Sequence, residues 1–297
     1  MSETPLHGQL SEPLTIGQCA ALATIMEATA PKPGNVHRGA DFEDASYPDF
    51  VVAATLISPA LDAAVTLPLG QTMLRAVAAT RAGVGTNTNL GTLLLLVPLA
   101  KVPRTDHLQH GVRDVLSRLT EEDARDVYEA IRLAQPGGLG KVATADISEA
   151  PPTDLIGAMR LGASHDMVAK QYADNFVDVF ESVVPWLTRA LDGGLSLSLA
   201  IVHVHLELMR EFPDSLIARR RGVEVAAQSA ARAAKVLEAG APGSEEYDWE
   251  LAEFDFWLRT DGHLRNPGTT ADLLAAGLFV MLRDGIIKPP FRLARID

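Results

Sequence analysis

The sequence predicts an all-α fold, a single compact multi-helix domain spanning residues 1–297. Apolar residues recur at spacings of three and four along most of the chain, which is typical of amphipathic helices. No segment shows sustained alternation of apolar and polar residues, so strands are few or absent. Aromatic residues make up only 5% of the chain while alanine and leucine are abundant, which favours helix over sheet. Neither an internal repeat nor a long linker divides the chain.

Local capping signals mark several helix starts. Thr15, with Gln18 three residues later, forms a capping-box pattern before a helix that reaches about Ala28. Pro48 suits the first turn of the next helix. Thr120 is a candidate N-cap followed by three acidic residues, which the helix dipole favours. The predicted helices lie at about 15–28, 48–61, 68–81, 90–100, 105–118, 121–134, 164–191, 195–211, 222–239, 246–259 and 270–284.

The clearest periodicity lies in residues 164–191, where apolar side chains repeat every three or four positions. We predict one long helix here, kinked at Pro185 and ended by Gly193 and Gly194. The preceding residues, 136–153, have a looser pattern and carry no helix prediction.

Four loops combine Gly or Pro with small polar residues, and at least two of them run straight into an apolar helix. Glycine lets a backbone approach a ligand closely, and a helix N-terminus offers free N–H groups to anions. We therefore predict that these loops line a cleft for a nucleotide. Ordinary turn punctuation in a helical bundle is the alternative explanation. The loops are ATAPKPGNVHRG (28–39), AGVGTNTNLG (82–91), AQPGGLGKV (134–142) and LRNPGTTAD (264–272).

Composition excludes several classes of partner and compartment. The net charge is −12, which argues against nucleic acid or an anionic membrane surface, because both need a basic face. The longest apolar run, Leu93 to Ala100, is far below the roughly 20 residues that span a bilayer. Residues 1–13 are polar, lack a signal-peptide core, and are expected to be flexible. The single cysteine, Cys19, is expected in the core, and we expect a cytoplasmic protein.

Several charged residues are candidates for chemistry. Asp214 lies near a basic triplet in PDSLIARRR, where a solvated helix end and a polyphosphate-binding patch are both reasonable interpretations. Glu27 falls near the end of the first helix, where a carboxylate opposes the helix dipole, so a functional role is favoured. Asp44 belongs to an acidic cluster that could hold Mg²⁺ together with substrate phosphates, or could simply be solvated. No phosphate-loop pattern and no GxSxG occur in the sequence.

Four ordered motifs resemble the triphosphoribosyl-dephospho-CoA synthase family, over roughly residues 15–285. The motifs are EATAPKPGNV (27–36), GTNTNLG (85–91), PDSLIARR (213–220) and NPGTTADLLAA (266–276). The resemblance implies an all-helical transferase that uses ATP and Mg²⁺. In that reaction, the 2′-hydroxyl of dephospho-CoA attacks C1′ of the ATP ribose, and adenine leaves while the triphosphate is retained.

The resemblance also implies roles for individual residues. Acid–base catalysis would fall to Glu27, Asp214 and Asp272, and metal binding to Asp44 and Asp214. We expect these four carboxylates to converge on one cleft. The residues expected to bind or shape the nucleotide site are Lys32, Gly34, Gly85, Asn87, Gly91, Arg219, Arg220 and Gly268.

Some positions depart from the family pattern. Asn89 and Leu90 stand where members often have His and Lys, Ser215 replaces Thr, and Thr269 replaces Gly. Residues 165–176 resemble a divergent branch found beside one-carbon pterin and furan cofactor pathways. Two alternatives therefore stay open: a related transferase or phosphotransferase that acts on another cofactor precursor, and a non-catalytic helical protein that binds nucleotides. The oligomeric state is open, and a homodimer is possible.

Overall fold

The computed structural model describes residues 13–135 and 152–291, and within them the predicted all-α fold is confirmed. A single bridge between His37 and Ala40 is the one extended pairing in these ranges. The helices in chain order are α1 (Ile16–Thr29), α2 (Tyr47–Asp62), α3 (Leu69–Val84), α4 (Leu90–Ala100), α5 (Leu108–Ser117), α6 (Glu121–Ala134), α7 (Leu155–Gly162), α8 (Met167–Ala173), a π-helical turn (Val179–Val183), α9 (Val184–Asp192), α10 (Leu197–Glu211), α11 (Ser215–Arg221), α12 (Val223–Ala239), α13 (Glu245–Arg259) and α14 (Gly268–Arg283).

The predicted N-caps of α1 and α6 are confirmed. Thr15 Oγ1 accepts from Gln18 N at 3.1 Å, and Gln18 Oε1 accepts from Thr15 N at 2.8 Å. Thr120 and Asp123 form the same reciprocal pair at the start of α6. Asp123 also accepts from Gly70 N at 2.9 Å, so this cap joins α6 to the first turn of α3.

The single long helix predicted over 164–191 is wrong. Helix α8 ends at Ala173, Asn175 and Phe176 take positive φ angles of 55° and 62°, and the chain then passes through the π-helical turn into α9. The apolar side chains of this segment still face the core although the helix is interrupted. Their spacing therefore indicates burial and not a continuous helix. Pro185 lies in the first turn of α9, directly after the π-helical turn.

Two short helices escaped the sequence analysis. Helix α7 begins after Asp154, whose carboxylate accepts from Gly157 N at 2.9 Å. Helix α11 begins after Asp214, which caps it in the same manner. An aspartate before a short apolar stretch is an N-cap signal, but seven or eight residues are too few to display helical periodicity clearly.

The core is built around α4 and α14. Nearly every residue of α4 after Gly91 is buried, and α14 is buried along its whole length beyond Asp272. This explains the leucine run at 93–96, which fills the main hydrophobic cluster. A second cluster lies between α10, α11, α12 and α13. No helix in the described ranges is long and apolar enough to cross a membrane.

Residues 1–12, 136–151 and 292–297 lie outside the described residues. The expectation of a flexible N-terminal segment, and most of the loop at 134–142, fall there.

Candidate active site

A cavity of about 690 Å³ opens at the N-terminal ends of α4, α8 and α14. The lining includes residues of α1, α4 and α14, which are long or deeply buried, and residues of the short helices α7, α8 and α11. Residues of α2, α3 and α6 and of the neighbouring loops complete it. All four glycine-bearing loops contribute to the lining: 35–36, 86–91 and parts of 266–272 from three of them, and Gln135 from the fourth.

Asp272 forms the acidic centre of the cavity floor. Its Oδ1 accepts from Thr92 Oγ1 at 2.7 Å, which links the first turn of α14 to the first turn of α4. Gly91 permits this approach, because a Cβ there would lie 2.6 Å from Asp272 Cγ and closer still to Oδ2. Burial raises the pKa of Asp272 to about 8, against the opposing hydrogen bond from Thr92 and with a further contribution from nearby Glu27. The protonated carboxyl therefore prevails at neutral pH.

Glu27 lines the same cavity from the last turns of α1. Its Oε1 pairs with Lys32 Nζ at 2.8 Å, and the same Nζ donates to the backbone oxygens of Glu27 and Ala30. A fully buried ammonium thus compensates both the carboxylate and the carbonyl end of the helix, which resolves the unfavourable position of Glu27 relative to the helix dipole. Lys32 lies behind the cavity wall and does not line it, in contrast to its expected place at the phosphates.

Asp214 also lies behind the wall. It is 2% exposed, and both of its carboxylate oxygens are occupied. Oδ1 accepts from Leu216 N and Ile217 N at 2.8 and 3.0 Å, and Oδ2 accepts from Thr270 N and Oγ1, both at 2.8 Å. Burial raises the pKa of Asp214, while the hydrogen bonds from Thr270 and Ile217 oppose the rise. The expected convergence of four carboxylates is therefore partial: Glu27, Asp44 and Asp272 line the cavity, and Asp214 does not.

The two predicted arginines line the cavity side by side on α11. Arg219 Nη1 pairs with Asp166 Oδ2 at 2.5 Å, and its buried Nε has no hydrogen-bond partner among the described residues. Arg220 Nη1 donates to His263 O at 2.9 Å. Burial and then Arg219 lower the pKa of Arg220, which indicates a cation held partly out of water.

The loop before α4 leaves the start of that helix open towards the cavity. Asn89 occupies the N-cap position, but its side chain donates to Thr80 Oγ1 at 3.3 Å instead of capping the helix. Asn87 Oδ1 accepts from Leu90 N at 3.1 Å, and the first intrahelical bond comes only at Leu93. The peptide N–H groups of Gly91 and Thr92 precede that bond. Such a helix start suits an anion.

The remaining predicted residues divide between the cavity and its surroundings. Gly268 begins α14 and lines the cavity. Gly34 and Gly85 do not line it: each adopts a positive φ, 74° and 78°, and Gly34 N donates to Asp255 Oδ1 at 2.7 Å. Asp44 lies at the rim with its side chain 63% exposed, 3.5 Å from His263 Nδ1. The described part of the chain contains no group of three or more residues arranged to ligate a metal ion.

Asp166 and Thr92 belong to the site and escaped the sequence analysis. Asp166 Oδ1 caps α8 by accepting from Val168 N and Ala169 N, which leaves Oδ2 for Arg219. An aspartate directly before Met167 is an N-cap signal, but the helix predicted over 164–191 already included this position. Thr92 lies inside the apolar run of α4, and only the approach of α14 reveals its partner.

The fold and the cavity define a class of protein: an all-helical protein with a carboxyl of raised pKa, a Lys-paired carboxylate and two arginines around one cavity. Comparison with known proteins identifies the family. The model of the CitG family, ATP:dephospho-CoA triphosphoribosyl transferase, matches residues 13–289, and the chain belongs to this family. The resemblance stated from the sequence motifs is thereby confirmed.

A solved structure supports the same assignment. A protein of Archaeoglobus fulgidus, described as a triphosphoribosyl-dephospho-CoA synthase, superimposes with a TM-score of 0.58 at 27% sequence identity. The match covers 78% of this chain and 98% of that one. No curated protein matches the sequence.

Proposed function

We propose that this protein transfers the triphosphoribosyl group of ATP to the 2′-hydroxyl of dephospho-CoA and releases adenine. The observation that carries the proposal, beside the family assignment, is the position of Asp272. A carboxyl whose pKa is raised to about 8 lies in one cavity with the Lys32-paired Glu27. Two carboxyl groups in environments that differ in this way suit one acid and one base.

The reaction breaks the bond between C1′ of the ribose and adenine and forms a bond from C1′ to the acceptor oxygen. Positive charge develops on the ribose as the purine departs. In the proposed arrangement Asp272 gives its proton to the departing adenine, and Glu27 takes the proton of the acceptor hydroxyl. The number of protons on the two carboxyl groups together is unchanged over one turnover.

The triphosphate is retained, so its charge must be bound without being cleaved. Arg219 and Arg220 of α11 supply two cations that line the cavity, and the unpartnered Arg219 Nε is a donor still available for an oxygen. The open start of α4 supplies peptide N–H groups, and the buried hydroxyl of Thr88 is likewise without a partner among the described residues. These groups support binding of the polyphosphate between α11 and α4.

We expect Mg²⁺ to bind in this cavity only together with the nucleotide. Mg²⁺ commonly uses one or two protein carboxylates together with phosphate oxygens and water, so a preformed cluster is not required. Asp44 at the rim has an exposed carboxylate, next to His263, that suits this role. Asp214 does not, because both of its oxygens already accept hydrogen bonds. When bound, the ion would neutralise phosphate charge.

Incubation of the purified protein with ATP, Mg²⁺ and dephospho-CoA, followed by chromatography of the bases and nucleotides, tests the proposal. The expected result is one adenine released per acceptor consumed, with neither ADP nor pyrophosphate formed. Release of ADP would instead indicate a phosphotransferase. Adenine release with a different cofactor precursor, and none with dephospho-CoA, would retain the chemistry and correct the acceptor.

A further inference from the structure

The feature that leads beyond the proposed function is the dipeptide Asp214-Ser215, which joins three helix starts. Asp214 caps α11 through Oδ1 and reaches the first turn of α14 through Oδ2. Ser215 Oγ accepts from Met167 N at the start of α8 at 3.2 Å and donates to Thr269 Oγ1 at 3.1 Å. Both residues are buried. One buried dipeptide therefore connects α8, α11 and α14.

The connected helices carry the groups that the reaction needs. Helix α11 carries Arg219 and Arg220, and α14 carries Asp272 two residues beyond Thr270. Rotation of α14 relative to α11 would move the acidic proton relative to the bound phosphates. Four hydrogen bonds to one carboxylate oppose such a rotation, because a buried carboxylate that loses its donors has no water to replace them.

We propose that Asp214 is a positioning residue of the reaction, which sets Asp272 against the two arginines and touches neither metal nor substrate. This proposal replaces the metal-binding and acid–base roles that the sequence motif suggested for Asp214. It rests on the proposed function for its kinetic consequences, but its structural consequence, a fixed first turn of α14, is independent of the reaction.

Thr270 allows the sharpest test. Its side chain is 3% exposed, and Thr270 is not among the residues that line the cavity. The Thr270→Val substitution keeps the shape and the backbone bond to Asp214 and removes only the hydroxyl donor. Asp214→Asn is its partner: the amide oxygen can still cap α11, while the amide NH₂ group faces Thr270 N–H and cannot accept from it.

Thr72→Val is the matched control. Thr72 is also a fully buried threonine in the first turns of a helix, but its hydroxyl donates only to Pro68 O at the start of α3. The control measures the cost of a valine at such a position without disturbing the link between α11 and α14.

The experiment combines steady-state adenine release with hydrogen–deuterium exchange of the free protein. We expect Thr270→Val and Asp214→Asn to lower kcat by about tenfold or more, because small displacements of catalytic groups cost this much. The Mg²⁺ and ATP concentrations at half-saturation should stay within about twofold of wild type. The substitutions leave in place the interactions that hold the ligands equally in the ground state and in the transition state. Amide exchange in residues 268–272 should accelerate at least about tenfold, as expected when a local restraint is lost. Thr72→Val should change none of these.

Other results would overturn the proposal. If Asp214→Asn raises the half-saturating Mg²⁺ or ATP concentration tenfold while Thr270→Val behaves as wild type, then Asp214 contacts the ligand. Unchanged exchange in residues 268–272 in both variants would show that Asp214 does not restrain α14. A wild-type protein that releases no adenine would refute the proposed function alone, since the exchange measurement still decides the positioning role. If Asp214→Asn does not fold, Thr270→Val decides it.

Discussion

A carboxyl group that is hard to ionise in the folded protein makes stability depend on pH in a predictable direction. The pKa of Asp272 is about 8 in the folded chain, against 3.8 for an ordinary aspartate. The folded state therefore holds a proton that the unfolded state has already released between these two values. Stability contributed by this group is full below pH 3.8 and is lost as the pH rises towards 8.

The magnitude follows from the same two values. The difference between 3.8 and about 8 corresponds, at about 1.4 kcal/mol per pH unit, to at most roughly 6 kcal/mol. Of this range, only the part between pH 5.0 and about 8 is sampled by a comparison of pH 5.0 with pH 8.5, which is about 3 pH units or at most roughly 4 kcal/mol. Because the carboxyl borders the cavity, water there can solvate the charged form and reduce the cost, so we expect about 2–3 kcal/mol between these two pH values.

Asp272→Asn isolates this contribution. The amide oxygen can still accept from Thr92, but the side chain cannot ionise. Urea unfolding of both proteins at pH 5.0 and pH 8.5 gives four free energies of unfolding. The free energy of unfolding of the variant, relative to that of wild type, should be about 2–3 kcal/mol higher at pH 8.5 than at pH 5.0, since all other titrating groups are shared. Asp154→Asn, at the exposed cap of α7, serves as the control. A gain below about 0.5 kcal/mol would refute the pKa of Asp272 and the acid role built on it.

Three further predictions concern the cavity and its support. Gly91→Ala should abolish adenine release and destabilise the fold by about 1–3 kcal/mol in thermal unfolding, because the added methyl group overlaps Asp272; wild-type turnover would contradict the close approach. Arg220→Ala should weaken ATP binding by about 1–3 kcal/mol in calorimetry, through loss of a charge-assisted hydrogen bond, and unchanged affinity would place the phosphates elsewhere. Lys32→Met should cost about 3–5 kcal/mol of stability in chemical unfolding, because Glu27 is left buried without its partner. Adding Glu27→Gln should recover part of that loss, and a purely additive result would show that the pair does not interact.

The fold class and most helix bounds could be predicted because they depend on local signals. Thr15 and Gln18, which cap α1, lie only three positions apart, so the pair can be recognised from the sequence alone. The break after Ala173 could not be predicted, since the positive φ angles at Asn175 and Phe176 arise among residues whose apolar spacing is still helical.

Only part of the site could be predicted, because the surroundings of a side chain depend on residues that are distant in sequence. Asp214 and Asp272 have the same side chain and both belong to motifs of the family resemblance, yet one carboxylate accepts four hydrogen bonds behind the wall and the other faces the cavity. A motif records that a carboxylate is needed but not which atoms surround it. Asp166 was missed because its partner, Arg219, lies 53 residues away in sequence.

The cavity is lined both by deeply buried helices and by short ones, which has a consequence for how such an enzyme can diversify. Substitutions in α4 or α14 act on the hydrophobic core and on the acid together, so most of them are lost through instability before any change in specificity can be selected. Helices α7, α8 and α11 hold seven or eight residues each and contribute few core side chains. Their exposed faces can vary at little cost in stability. We therefore expect the exposed faces of α7 and α8 to tolerate more sequence variation than α4 and α14, which carry the core and the acid together.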